Sequence, residues 1–106
     1  MMDTNNDPRN SRIEQIKTAL DPYQVSHPNA QIDVRPRYET FIGIRIIDPD
    51  FEGMDWLERE PEVWNLLEQL PDDPYTSITM VLLLTPEEAK GSGANMKFED
   101  PIPSEF

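Results

Sequence analysis

The chain has no cysteine, a single histidine and only four glycines among its 106 residues. Without cysteine it can form no disulfide, supply no thiolate nucleophile and build no sulfur-ligated metal site of its own. Positive charge is scarce as well. Nine Lys and Arg stand against 21 Asp and Glu, for a net charge of −12. Phosphate backbones are held by Lys and Arg that displace counterions, so this field opposes nucleic-acid binding and anionic membrane surfaces alike. A basic partner is its natural complement. No apolar run approaches the ~20 residues that a membrane span needs, and the opening MMDTNNDP lacks the basic and apolar regions of a signal peptide. A cytoplasmic location is expected. The sequence shows no internal repeat, Gly-rich phosphate loop, nucleophile elbow or Gly-x-x-Gly nucleic-acid loop. No enzymatic activity and no cofactor are expected.

What is present suits one small domain. Hydrophobic residues make up 37% of the chain, and its 11 prolines gather at the ends and at junctions. This pattern predicts a disordered stretch over 1–10, a folded unit over 11–90 and a flexible tail over 91–106. Ser11 with Glu14 reads as a capping box for a first helix with Ile13, Ile16 and Leu20 on one stripe, ended by Asp21-Pro22. Residues 22–30 read as an irregular connection. Strand alternation follows over 31–34, is interrupted at Pro36, and resumes over 38–47. Pro61 fits the first position of a second helix, with Val63, Leu66, Leu67 and Leu70 on its apolar stripe. After a turn at Asp72-Asp73-Pro74, residues 76–84 form a third strand, and Thr85-Pro86-Glu87-Glu88 opens a final helical turn. The class is α/β (α+β): a two-layer αββαβ domain whose three-stranded mixed sheet carries its helices on one face.

That order, together with the wording FIGIRIIDPDFEG over 41–53, VWNLLEQL over 63–70 and ITMVLLLTPEE over 78–88, resembles the BolA family. The matching stretches span most of residues 11–90. The resemblance implies a fold similar to class II KH domains. It also implies a role as a regulator or iron–sulfur assembly partner, docking to a monothiol glutaredoxin. Such proteins carry an Arg-His-Arg-like motif at the start of the long helix, whose His is the expected cluster ligand. Here the corresponding residues are Arg59-Glu60-Pro61, so only the first Arg matches. His27 is the sole histidine left to serve, and it reads as an exposed loop residue rather than a ligand.

Other residues carry weaker signals. Asp48, Asp50 and Glu52, with Gly53, imitate the opening of an EF-hand loop, but the twelfth position is Arg59 and the preceding element reads as a strand. With His27 they are the weak metal candidates, and no bound metal is expected. Arg35, Arg37 and Arg45 are expected to balance acids across the sheet. Acidity gathers over 48–73, where ten acids against the lone Arg59 give a net −9. Within it Trp56, Glu60, Trp64 and Glu68 mark a proposed partner surface. Trp64 is the stronger anchor because it falls off the apolar stripe. A second surface is the open sheet face, expected to carry Phe41, Ile47, Val81 and Leu83 and to be covered by a homodimer mate or partner. Two readings of the whole follow. One is a BolA-like interaction module without its own cluster ligand. The other is an acidic antagonist or immunity-type protein that blocks a basic partner; a small metal-dependent enzyme ranks below both.

Overall fold

The computed structural model describes residues 8–37 and 41–91. Helix α1 (Pro8–Ala19) and short helix α2 (Asp21–Ser26) lead into strands β1 (Gln31–Pro36) and β2 (Ile42–Ile47). A single 3-10 turn (Pro49–Phe51) then joins β2 to α3 (Trp56–Leu67). The chain closes through α4 (Asp72–Thr76), β3 (Ile78–Leu84) and α5 (Pro86–Gly91). In the sheet β2 is central, antiparallel to β1 and parallel to β3. This is the three-stranded mixed sheet, α+β, that the BolA-like, class II KH-like reading implies.

The apolar stripes fall where their periods place them. Ile16 from α1, Leu20 between α1 and α2, and Val63 and Leu67 from α3 are buried against Val34, Ile42, Ile44, Ile46 and Leu83 of the sheet. Removing even one such side chain opens a cavity costing about 2–5 kcal/mol. The element ends differ from expectation for identifiable reasons. The first helix begins at Pro8, whose fixed φ suits a first turn, so Ser11 lies one turn inside it and accepts a hydrogen bond from Gln15. Asp21-Pro22 does stop α1, but it also starts α2 in what was expected to be irregular chain. Likewise Asp72-Asp73-Pro74 opens the short α4 rather than a plain turn.

The long helix starts at a capping box, not at Pro61. Asp55 Oδ1 accepts from the Glu58 N–H at 3.0 Å while Glu58 Oε1 accepts from the Asp55 N–H at 2.9 Å. Two reciprocal bonds at an N-terminus outweigh the mild preference of Pro for a first position. Pro61 therefore sits inside the helix. A second capping box, Thr85 with Glu88, opens α5 as expected. Gly53, at φ 79°, makes the left-handed turn between the 3-10 turn and α3.

The sheet-face expectation is corrected by a bulge. Pairing shifts between Ile42 and Gly43, so that Ile42 faces Ile78 while Gly43 faces Met80, Ile44 faces Val81 and Ile46 faces Leu83. The extra residue, Thr79, reverses the alternation of β3. Val81 and Leu83 therefore lie on the helix-covered face with Ile44 and Ile46. Leu83 is 2% exposed, and Val81 packs partly against the core. Phe41 and Ile47 are half-buried. The opposite face holds Arg45, cross-strand partner of Asp33, with Arg45 Nη2 2.6 Å from Asp33 Oδ2. Arg45 and Leu84 are already buried within the single chain, so among the described residues this face is not a bare apolar one. The disorder expected over residues 1–7 and the flexible tail expected over 92–106 lie outside the described residues. No helix among those described is long and apolar enough to cross a membrane.

Candidate functional site

Five titratable side chains, Tyr23, His27, Asp48, Asp50 and Glu62, converge at the end of β2. His27 is placed by the C-terminus of α2: its N–H donates to the Tyr23 carbonyl at 2.8 Å, and its own carbonyl accepts from Ala30 at 3.0 Å. The Gln24 amide then bonds to the carbonyls of His27 and Ala30 at 3.1 and 2.9 Å, fixing the corner. The imidazole stacks on the Tyr23 ring one turn earlier, with centroids 4.1 Å apart. Asp48, fully buried, ends β2 and caps the 3-10 turn by accepting from the Asp50 N–H at 2.9 Å. Its other oxygen accepts from the Tyr23 hydroxyl at 2.5 Å.

The imidazole is surrounded by carboxylates. Nδ1 lies 2.7 Å from Asp50 Oδ2 and 3.3 Å from Asp48 Oδ2, while Nε2 lies 3.0 and 3.1 Å from the two oxygens of Glu62 in α3. Burial pulls the His27 pKa down. Hydrogen bonds to Asp50 and Glu62, with the charges of Glu62 and Asp48, pull it further up, and the net shift is upward. Burial first, and then the bond to Asp48, hold the Tyr23 phenol far above its usual range.

His27 is thus not the exposed loop residue expected; its side chain is 18% exposed. Of the weak metal candidates the structure brings together His27, Asp48 and Asp50, within 4.8 Å of one another, and leaves Glu52 exposed outside the group. The spacing suits a proton better than an ion. Bonds of about 2.0–2.2 Å from a metal to N and O put its ligands about 3 Å or more apart, and Nδ1 is 2.7 Å from Asp50. Both Asp48 oxygens also already accept hydrogen bonds. Glu62 was the residue that sequence reasoning missed. It stands 35 positions from His27, and only the packing of α2 on α3 joins them.

The partner surface is rearranged in one respect. Trp56, Glu60 and Trp64 follow one another at i, i+4 along α3, with Glu68 at its C-cap, so they share a stripe. Yet Trp64 packs partly against the core and meets the Tyr75 ring edge-on, centroids 6.2 Å apart. With Glu60 and residues of β3 it lines a cleft of about 220 Å³. Trp56 is the exposed one, at 53%, and Leu57 beside it is 80% exposed. The Trp56 ring is steadied from below by the Arg59 guanidinium, 4.7 Å from its centroid.

Arg59, the one matching residue of the Arg-His-Arg-like motif, is structural. It is 5% exposed and donates to the carbonyls of Met54 and Leu83 and to both oxygens of Glu88, the shortest at 2.7 Å. Glu60, at the motif's histidine position, is exposed.

Comparison with known proteins returned no matching family model and no matching curated protein. Among solved structures, the chain is similar to BolA1 from Arabidopsis thaliana at 21% identity and a TM-score of 0.48, over 73% of this chain and 94% of that one.

Proposed function

We propose that this chain is a non-enzymatic protein-binding module that receives a basic partner on the outer stripe of α3. The observation that carries this reading is the exposed pair Trp56 and Leu57 at the start of a helix whose exposed neighbours Glu52, Asp55, Glu58 and Glu60 are all acidic. An aromatic and an aliphatic side chain within a charged rim have the make-up of an interface anchor. Stacking on Arg59 reduces the freedom Trp56 would lose on binding. The surrounding acids attract a cationic surface from a distance and speed encounter at low salt. A non-catalytic role is supported by the His27 cluster itself, whose buried carboxylate is fully engaged. The 220 Å³ cleft and the groove of about 540 Å³ between α1 and α3 are lined by other residues.

The resemblance to BolA proteins makes a monothiol glutaredoxin the first partner to test. Exposed Glu60 supports docking without a cluster ligand from this chain. The acidic flank equally supports the antagonist reading, for which a basic nuclease is the probe. Both proteins can be titrated against the chain and against the double variant Trp56→Ser, Leu57→Ser. One of them should bind, weaken with added salt, and lose about tenfold or more in affinity in the variant, and the visible spectrum of a cluster-loaded glutaredoxin should stay unchanged. Binding that ignores the double variant, or a new cluster spectrum that Glu60→Gln abolishes, would sink the proposal.

A further inference from the structure

We infer that His27 is a proton-gated clamp, which in its doubly protonated form ties the corner after α2 both to the turn at Asp50 and to α3 at Glu62. A neutral imidazole has one N–H donor and one lone pair. Here both ring nitrogens stand within hydrogen-bond distance of carboxylate oxygens, Nδ1 at 2.7 Å from Asp50 and Nε2 at 3.0 Å from Glu62. Two donors satisfy both contacts. Loss of either proton sets a lone pair against a carboxylate and turns one attraction into a repulsion.

The groups that face the ring leave no other way to relieve this. Tyr23 comes from α2, Asp48 from the end of β2, Asp50 from the 3-10 turn and Glu62 from α3. The Tyr23 hydroxyl is already committed to Asp48, and no Lys or Arg among the described residues pairs with Asp48, Asp50 or Glu62. Among the described residues His27 is therefore the only cation beside the fully buried Asp48. Deprotonation both opens the tie and leaves a buried carboxylate without a counter-charge, which is the costly way to break such a pair. The two segments held together are otherwise lightly joined, since no other α2–α3 hydrogen bond or ion pair is found among the described residues. The clamp stands apart from the docking proposal and is tested without a partner.

The chain contains one histidine, so a proton–nitrogen correlation spectrum of the untagged full chain reports His27 alone. Both ring nitrogens should carry protons at pH 6, and the midpoint of titration should lie above about 6.5 and fall in Glu62→Gln. A histidine with a raised folded pKa stabilises fully below its unfolded value and loses that stabilisation as pH rises through the folded one. Wild-type Tm should therefore drop by about 5 °C across the midpoint, and His27→Gln should lack that drop. Should His27→Gln fail to fold, the wild-type titration and Glu62→Gln decide. A midpoint at or below about 6.5, a single neutral tautomer at pH 6, or parallel melting curves for wild type and His27→Gln would overturn the clamp. So would zinc ions alone, if at pH 7 they raise the wild-type Tm and move one ring nitrogen to a metal-bound shift.

Discussion

Two cations hold α3 in place, and they differ in kind. At one side Arg59 reaches from the helix to the Leu83 carbonyl and to Glu88, joining α3 to β3 and α5. At the other His27 reaches from the corner after α2 to Glu62 and to the turn after β2. Arg59 stays charged at any pH a folded protein meets, presents a planar fork of donors, and finds two carbonyls as well as a carboxylate. His27 has two donors, three carboxylates around it and a charge that depends on pH. One anchor is permanent and the other conditional. The same helix carries the exposed Trp56 and Leu57 between them in sequence, so a surface built for contact rests on one fixed and one adjustable support.

The largest expected effect comes from breaking the permanent side. Arg59→Met keeps the length of the side chain but strands Glu88 and the Leu83 carbonyl and removes the stack beneath Trp56. A loss of about 3 kcal/mol is expected in denaturant unfolding, the lower end for a buried ion pair because Glu88 is 40% exposed. A loss under about 1 kcal/mol, the worth of a surface pair, would mean Arg59 is no anchor. A smaller effect separates the two supports by pH. The hydrogen bond from Arg59, then that from the Thr85 N–H, lowers the Glu88 pKa from 4.5 to about 2. A lowered carboxylate contributes stability above its unfolded value and loses it as pH falls through the folded one. The Arg59 side should thus weaken between about pH 4.5 and 2 and stay intact through the neutral range, where the His27 side weakens as pH rises through its own midpoint. Glu88→Gln should cost about 1 kcal/mol at neutral pH, after allowance for solvent screening, and flatten the acid limb. An acid limb unchanged in Glu88→Gln would assign it to other carboxylates. Smallest of all is Trp56→Ser with Leu57→Ser, expected to change stability by less than about 0.5 kcal/mol because both side chains are exposed. A marked loss would show that the pair supports the fold rather than a partner.

Much of the fold was legible because it depends on local chemistry. The apolar stripes of α1 and α3, the both-faces-apolar character of β2, the Thr85–Glu88 capping box and the acidic flank are all periodic or short-range patterns, and the structure keeps each of them. The start of α3 was legible too, since Asp55 and Glu58 stand three apart, but the proline at 61 is a louder signal that points elsewhere. What the chain alone left undecided were relations between distant segments. A strand apolar on both faces does not show its phase, so only pairing with β2 revealed that the extra residue Thr79 turns Val81 and Leu83 inward. For the same reason Trp64, off the apolar stripe of its own helix, is nonetheless half-covered by Tyr75 from α4. The lone histidine was visible from the first line. Its three carboxylates lie 21, 23 and 35 positions away, and nothing short of the packing of α2 against β2 and α3 brings them to its ring.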